Sequence, residues 1–505
     1  YWNGAAWVNL GAPPAYDTWY SLEFRINGAN LEYLIDNVVV GTVASGGSTY
    51  FGDIIMQAYN FNDNTLGASY DPNSTYDAFW DNLMTTGAGG RVVTNTNTGL
   101  KYCSIQGAID NAATLSGHVL QIADATYQEK VTVTKSLTLD GTSEANTILD
   151  GTGLGTGSGI SINNGITGVT IQDLTVKNYS GTSPNAYAGI YAVGGNNTLS
   201  VQHCTLKDNV GGSGFYANGP VNGVTLNDLE VYGHTNVAGA ARGIVIWNGF
   251  KQNITITNCD VYNNNCCGIE LQDGTASGVT MSNNNVHDNG DNGIGLNGLK
   301  GGAGANLINN NTLSNNGRFG IEIKNPNGTG LNTGDGSIYL NNNSVSFTAT
   351  PGMNIRDHAG IAVMRRAFQS GNPDGYPNVP TGVVIKNNTV SGYSHLNPGR
   401  VESEGFGISI EGTNHEVSNN TVSGCDVGIQ EQGGAHPNPN YVENNAGDGD
   451  QADSKSAAYF GRGNAHIACG NEIMNNTLTS NLINSRTSIG SSSYGLVTNL
   501  NNGET

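Results

Sequence analysis

The chain has 505 residues, of which 40 are Asp or Glu and 20 are Lys or Arg, so its formal net charge is -20. This acidic balance argues against nucleic acid and anionic membrane surfaces as partners, because both require clustered basic side chains. No apolar run approaches the ~20 residues that span a bilayer, so membrane insertion is not expected.

Residues 1–88 form segments that alternate apolar and polar side chains and are separated by Gly, Asn and Asp, a pattern typical of antiparallel strands. LEFRINGANLEYLIDNVVVGTV and DAFWDNLMTTG resemble the C-terminal half of a concanavalin-like, laminin-G-type jelly roll. The resemblance implies a partial β-sandwich, and its family often binds sugars and sometimes calcium. It also predicts that the missing half lies upstream in a longer multidomain chain or is supplied by other strands. A spacer domain without a ligand is the alternative.

Residues 89–117 are predicted to be a linker and a helical cap. Within YCSIQGAIDNAATLSG, Ser104 is suited to cap a helix that carries Ile105, Ala108, Ile109 and Ala112 on one face. Such a helix would cover the open apolar end of a solenoid.

Residues 118–482 contain a repeat of two short elements, which is typical of a solenoid. Val201, Leu226 and Ile256 begin successive copies of the first element, apolar-x-x-(Asn, Cys or Leu)-x-apolar, 25 and 30 residues apart. The second element is Gly-apolar-x-apolar, and the two alternate along the chain. Its copies begin at Gly189, Gly214, Gly243, Gly268, Gly293, Gly320, Gly360 and Gly407, with a degenerate copy at Gly428.

The fourth position of the first element predicts a ladder of asparagines, because stacked amides can bond to one another and to the backbone. The same column predicts that Cys204 and Cys259 are small buried residues rather than metal ligands. Its members are Leu174, Cys204, Leu229, Cys259, Asn284, Asn311, Asn343, Asn388, Asn420 and Asn476.

The repeat and the preceding cap resemble the right-handed parallel β-helix proteins of pectate lyase-like architecture. The resemblance covers roughly residues 91–480 and implies an all-β solenoid of about ten or more coils, followed by a C-terminal tail at 483–505. It leaves function open, because this fold carries lyases, hydrolases, epimerases, tailspikes and adhesins.

The residues two and four places after each repeat glycine are predicted to point outward in two columns. Glu270 and Glu322 fall two coils apart in the first column, roughly 9.6 Å apart at the backbone. That separation is near the wide limit of ~9.5 Å for the paired carboxylates of an inverting glycosidase. A solvated face of the scaffold is the alternative. Further outward binding candidates are Tyr191, Tyr216, Trp247, Gln272, Asn297 and Glu411.

Long insertions after residues 340 and 385 are predicted to form a wall beside the strands of Glu322 and Glu411. Arg356, Arg365 and Arg400 could hold an acidic polysaccharide there, and Glu402 is a further binding candidate in the same wall. Lys324 or His358 would then act as the base of a lyase or epimerase. The alternative is that these charges are surface ion pairs that fix the loops.

No cofactor is predicted, although the acidic segment DGDQAD at 448–453 could bind calcium loosely. The seven cysteines indicate packing rather than a disulfide framework. The polar composition favours a secreted or cell-surface protein, and because the sequence opens without a leader, any signal peptide is expected to lie upstream or to have been removed.

The sequence therefore carries two hypotheses of function. The first is a noncatalytic adhesive or structural rod that interacts with an extracellular glycan. The second is a polysaccharide-active enzyme, a glycoside hydrolase or a lyase or epimerase, that uses Glu270, Glu322, Lys324, His358 and Arg365.

Overall fold

The structure is a computed structural model that describes residues 22–27, 30–36, 38–44, 91–183, 187–301, 304–328, 338–348, 358–364, 380–394, 405–432 and 471–488. The chain divides into two compact units, Tyr1–Arg91 and Val92–Thr505. No helix among the described residues is both long and apolar enough to cross a membrane.

The first unit contains a three-stranded antiparallel sheet, as the alternating pattern predicts. Its strands are Leu22–Asn27, Asn30–Ile35 and Val38–Ala44. The pairing shifts register between Tyr33 and Leu34. The other predicted strand segments of this unit, and DAFWDNLM, lie outside the described residues, so its assignment to a jelly roll stays a prediction.

The second unit begins with a cap built around the predicted helix, Ile105–Asp110. The Ser104 hydroxyl accepts the backbone N–H of Gly107 at 3.0 Å, and the helix buries Ile105, Ala108 and Ile109. Ala112 lies beyond the helix end and is exposed. The Glu129 carboxylate accepts the first two free N–H groups of the helix, each at 2.9 Å. These bonds satisfy donors that a helix cannot satisfy itself.

Two long sheets form the body of this unit. Sheet A has 12 strands: Val131–Val133, Ile160–Ile162, Ala188–Ala192, Ser213–Asn218, Ile244–Trp247, Ile269–Gln272, Ile294–Asn297, Phe319–Lys324, His358–Met364, Gly405–Glu411, Val427–Gln432 and Ile483–Ser488. Each strand pairs in parallel with the next, and each coil contributes one strand. The last strand extends to Ser488, beyond residue 482, where the sequence predicts the end of the solenoid.

Sheet B has 23 strands: Val93–Asn95, Lys101–Tyr102, Val119–Ile122, Ala125–Tyr127, Thr138–Gly141, Thr147–Asp150, Thr170–Lys177, Asn197–Lys207, Val221–Tyr232, Lys251–Thr257, Asp260–Tyr262, Ala276–Ser282, Asn285–His287, Asn306–Asn309, Thr312–Ser314, Ile338–Asn341, Ser344–Ser346, Val383–Lys386, Thr389–Ser391, Glu416–Ser418, Thr421–Ser423, Glu472–Met474 and Thr477–Thr479. Its strands are parallel except at Val93–Asn95, which pairs antiparallel with its neighbours. The fold is therefore all-β, a right-handed parallel β-helix with a helical cap, as predicted.

One continuous apolar core runs between the two sheets. Ile269 and Leu271 of sheet A, with Ile256 and Met281 of sheet B, are fully buried in it. Inward residues stack on equivalent residues of the next coil, so the core repeats along the solenoid axis. Each coil contacts only its neighbours, so the apolar positions that recur in successive coils together form this core.

The asparagine ladder is present as predicted. Asn343 Nδ2 donates to Asn388 Oδ1 at 2.9 Å and to the carbonyl of Ile308 at 2.8 Å, and Asn343 Oδ1 accepts from Asn311. Equivalent bonds join each pair from Asn284 to Asn476. Each buried amide is thereby paired, which removes the cost of placing it in the core.

A second set of Asn and Asp residues has a different role. The residue before each ladder position adopts positive φ, as in Asp173 (56°), Asn283 (57°) and Asn342 (56°). Asn and Asp tolerate this left-handed conformation better than other residues that carry a Cβ. The high Asn content therefore serves tight turns as well as the ladder.

A second ladder, which the sequence analysis missed, runs through Asn264, Asn289 and Asn316 and includes a buried histidine. His234 stands in this column one coil before Asn264, where its Nδ1 accepts the N–H of Asn209 at 3.3 Å and its Nε2 donates to the carbonyl of Leu206 at 3.1 Å. Burial lowers the pKa of His234 from 6.5 to about 4. At this turn the His234 imidazole thus makes the hydrogen bonds to the backbone that an asparagine amide makes in other coils.

We expect His234→Asn to reduce the acid sensitivity of the fold. A histidine with a lowered pKa stays neutral in the folded state while the unfolded chain takes up a proton. Wild type should therefore lose stability as the pH falls from about 6.5 to about 4, by on the order of 3 kcal/mol at this site. Urea unfolding at pH 7 and pH 4 measures the difference, which the variant should shrink.

The control is His203→Asn, at an exposed position of positive φ (46°) where asparagine is equally suited. It makes the same substitution but removes no buried imidazole. An equal effect of both variants would show that burial of His234 is not the cause.

Candidate functional site: the outward face of sheet A

The two outward columns have the predicted register. Glu270 pairs with Gly295, which pairs with Glu322, and Asn297 pairs with Lys324. These outward residues do not form a solvated face of the scaffold, the alternative given above. The exposed fractions are 4% for Glu270, 1% for Glu322 and 5% for Lys324. The charges point away from the core and are nevertheless shielded from water.

Four of these side chains form a network of opposite charges, here called the charged network: Arg242, Glu270, Glu322 and Lys324. Lys324 Nζ lies 3.5 Å from Glu270 Oε1 and 3.6 Å from Glu322 Oε2. Arg242 Nε donates to the other oxygen of Glu270. Two carboxylates thus face one guanidinium and one ammonium, so the network is balanced in charge.

Amide groups hold the charged network in place. Lys324 Nζ donates to Gln272 Oε1 at 2.8 Å, and Asn292 Nδ2 donates to Glu322 Oε2. Buried ionic groups need such additional bonds, because an ion pair alone does not offset the loss of hydration.

Gly295 allows the two glutamates to converge. A Cβ at this position would lie 3.7 Å from Glu270 Cγ and 3.3 Å from Asn292 Nδ2, so any larger side chain would occupy the space between the acids. Glu270 Oε1 and Glu322 Oε2 lie at most about 7.1 Å apart, the sum of their distances to Lys324 Nζ. The two carboxylate oxygens are therefore closer together than the roughly 9.6 Å expected between the backbones, because both side chains are directed towards Lys324.

Three aromatic residues, here called the aromatic cluster, precede the charged network on neighbouring strands: Tyr191, Tyr216 and Trp247. The rings of Tyr191 and Tyr216 have centroids 5.2 Å apart. Tyr216 is buried, whereas Tyr191 and Trp247 are half-buried. Together with Val245 they form a small apolar cluster on the outward face, separate from the main core.

Trp247 is oriented by polar contacts on two sides. The Arg242 guanidinium lies 4.6 Å from its ring centroid, a cation–π contact. Its indole N–H donates to the carboxylate of Asp273, whose pKa is raised by burial and is lowered in part by this bond and by the nearby Lys324 and Lys251. Arg242 therefore links the aromatic cluster to the charged network.

Not all predicted site residues join this arrangement. The ring of His358 packs against Phe347 and Tyr393, with centroids 5.0 and 5.4 Å away. Glu411 is fully buried. The strand that contains Met364 lies between the strand of Glu411 and that of Lys324. Asn297 is buried between the strands of Gln272 and Lys324.

Arg356, Arg365, Arg400 and Glu402 lie outside the described residues, as do the acidic segment at 448–453 and most of both long insertions.

Arg242 and Asn292, which complete the charged network, were not among the predicted site residues. Both directly precede a repeat glycine, in the turn before the strand, where period-2 alternation does not tell which way a side chain points. Asp273 follows the strand end and was missed for the same reason. The basic charge of Arg242 beside a repeat glycine was the one signal available.

No known protein family matches the chain by sequence, and no curated protein does. Solved structures are similar in fold. The Azotobacter vinelandii mannuronan C-5 epimerase AlgE4 A-module is 17% identical, with a TM-score of 0.44 over 65% of this chain and 86% of that one.

The AlgE6 A-module of the same organism is 14% identical, with a TM-score of 0.40 over 64% of this chain and 90% of that one. The catalytic unit of a GH87 alpha-1,3-glucanase from Streptomyces thermodiastaticus is 14% identical, with a TM-score of 0.33 over 64% of this chain and 61% of that one. At these identities the similarity concerns the β-helix fold.

Proposed function

We propose that this protein is a secreted or cell-surface, noncatalytic module that binds a polysaccharide on the outward face of sheet A. The observation that carries the proposal is the aromatic cluster, in which Tyr191 and Trp247 remain partly exposed beside the buried residues Val245 and Glu270. Sugar rings stack on such surfaces, since their C–H groups are apolar while their hydroxyls require polar partners.

The charged network supplies rigidity beside the aromatic cluster. Arg242 contacts the Trp247 ring and is itself held by Glu270, so rotation of the indole would break the cation–π contact and the bond to Asp273. A ring fixed in this way loses little conformational freedom on binding, which favours affinity. Polar side chains at the same end, Asn218 and Asn248, are bonded to each other at 2.9 Å and offer donors and acceptors to hydroxyls.

The noncatalytic form of the proposal rests on the partners of the two glutamates. Glycoside hydrolysis needs one carboxyl that carries a proton to the leaving oxygen. Both oxygens of Glu270 face cations, and Glu322 accepts from Asn292 while also facing Lys324. These contacts place the carboxylate oxygens in ion pairs and a hydrogen bond within the protein, an arrangement that suits a structural role better than that of a general acid.

A second candidate function is polysaccharide hydrolysis, lysis or epimerisation, and one observation favours it. Glu270, Glu322 and Lys324 converge, and the distance of at most about 7.1 Å between the acids allows the ~5–5.5 Å spacing of retaining enzymes and the lower end of the roughly 6.5–9.5 Å spacing of inverting enzymes. Convergent ionisable groups are typical of active sites.

One experiment separates the two. Wild type is incubated with a panel of neutral and acidic polysaccharides; binding is measured by retention on immobilised glycan, and chemistry by reducing ends and by absorbance of unsaturated uronic products. We expect binding without product. Trp247→Ala should weaken binding about tenfold, which corresponds to about 1.4 kcal/mol.

Tyr262→Ala is the matched control, because Tyr262 is an aromatic residue on sheet B, stacked on Tyr232 with centroids 4.8 Å apart. It should bind as wild type does. Binding that survives Trp247→Ala would contradict the proposed surface. Product formed by wild type and lost in Glu322→Gln would establish the enzyme instead.

A further inference from the structure

Two adjacent cysteines lie in the turn before the strand Ile269–Gln272, and the neighbouring coils fix their backbone. The N–H of Cys266 donates to the carbonyl of Ala241 at 2.9 Å, and the carbonyl of Cys266 accepts the N–H of Asp291 at 2.9 Å. The carbonyl of Cys267 accepts the N–H of Gly243 at 3.0 Å. Asp291 therefore stands directly next to Cys266 in the stack of coils.

The side chains of these three residues meet. The two Sγ atoms are 3.4 Å apart, and a carboxylate oxygen of Asp291 lies within 4.8 Å of both. Both thiols are buried, whereas Asp291 is half-exposed. Within the part of the chain that the structure describes, this is the group of His, Cys, Asp or Glu side chains that satisfies the spacing of a metal site.

The other buried cysteines are accommodated differently. Cys204, Cys259 and Cys425 each donate Sγ–H to a backbone carbonyl two residues earlier, at 3.1, 3.3 and 3.4 Å. Cys204 and Cys259 occupy ladder positions, where a small apolar side chain suffices. The role of a packing residue thus explains those cysteines, but it does not explain two thiols directed at each other beside a carboxylate.

We propose that Cys266, Cys267 and Asp291 form a binding site for a thiophilic divalent cation of the Zn²⁺ class. Two thiolates and one carboxylate are a donor set that Zn²⁺ and Cd²⁺ prefer over harder cations. Zn–S bonds of ~2.3 Å in a tetrahedron place the sulfurs ~3.8 Å apart, so the pair needs to open by only a few tenths of an ångström.

A divalent cation with two thiolates and one carboxylate carries a net charge of −1. The Arg242 guanidinium, which pairs with Glu270, also interacts electrostatically with both cysteines and therefore favours an anionic complex beside it. Binding releases the two thiol protons to solvent and changes no oxidation state. Three protein donors leave one tetrahedral position for water or another ligand.

The test uses the full chain, reduced beforehand, in a background in which Cys103 and Cys469 are replaced by serine. Cd²⁺ is titrated in while the thiolate-to-cadmium charge-transfer absorption is followed in the ultraviolet. We expect one Cd²⁺ per chain, displaced by Zn²⁺. Cys266→Ser and Cys267→Ser should each abolish stoichiometric binding, and Asp291→Asn should weaken it while keeping the absorption.

Cys259→Ser is the matched control, a buried cysteine whose loss should leave the titration unchanged. Circular dichroism of each variant shows whether the coils remain folded. If Asp291→Asn is folded and binds Cd²⁺ as the background protein does, the carboxylate is not a ligand and the three-residue site is contradicted. Absence of the absorption in the background protein, or its persistence without both Cys266 and Cys267, would overturn the proposal.

Discussion

Replacing Lys324 with methionine is expected to lower the free energy of unfolding by about 3–5 kcal/mol. The ammonium group lies between Glu270 and Glu322, and its removal leaves Glu322 facing no cation of the charged network and Glu270 facing only Arg242. Both carboxylates are almost completely shielded from water, so hydration cannot replace the lost partner. Urea unfolding at neutral pH measures the change.

Lys386→Met is the matched control. Lys386 forms a similar pair with Glu416 at 3.6 Å, but its side chain is 40% exposed. An exposed pair contributes ~0–1 kcal/mol, so this variant should unfold nearly as wild type does. Should Lys324→Met be equally mild, the charged network would be well hydrated in solution, and the argument for a rigid support beside Trp247 would lose its basis.

The second large effect concerns a lysine inside the solenoid. Lys251 is fully buried, and its Nζ donates to the carbonyl of Gly249 at 3.1 Å and to that of Asp273. Burial lowers the pKa of Lys251 to about 7, an effect that the nearby Asp273 carboxylate partly opposes. The folded protein therefore favours the neutral amine, whereas the unfolded chain keeps a proton up to about pH 10.5.

Lys251→Met is consequently expected to change the pH dependence of stability. Wild type loses stability as the pH falls from about 10.5 to about 7, and this cost stays constant below pH 7. The stability of Lys251→Met relative to wild type should rise by on the order of 4 kcal/mol over that window. Urea unfolding at pH 10 and pH 7 provides the comparison.

Lys130→Met controls for the loss of a lysine that bonds to a backbone carbonyl. Lys130 is exposed and donates to the carbonyl of Thr156 at 2.8 Å, so its replacement removes the same kind of hydrogen bond without removing a buried amine. If the difference in stability between Lys251→Met and wild type were the same at pH 10 and pH 7, water would reach this amine and the argument from burial would be wrong.

The buried position of the charged network bears on function. A solvated row of charges would bind ligands weakly and would need no neighbouring groups to hold it in place. A shielded network of balanced charges loses hydration on folding, and it holds the groups beside it in fixed positions. Trp247 is the group it fixes most directly, through Arg242. The aromatic cluster, rather than Glu270 and Glu322, is therefore the part of the face that we expect to meet a glycan.

The sequence alone determined the solenoid, the cap and the register of the outward columns. Inward Ile and Val positions recur once per coil, and burial of one face permits only one register, because a shift by one residue would turn Ile269 and Leu271 outward. Ser104 marked the helix start, and the ladder could be predicted because an amide at a fixed turn position must bond to its neighbour, as Asn343 does.

Only the tertiary structure decided what the outward residues contact. Glu270 and Glu322 were predicted to be two coils apart, but the turn residues Arg242 and Asn292 and the absence of a side chain at Gly295 bring them together. Such contacts join residues about 30 positions apart through turns, where strand alternation gives no direction. Local pattern therefore fixes the scaffold of this protein, while its polar site depends on side-chain packing between coils.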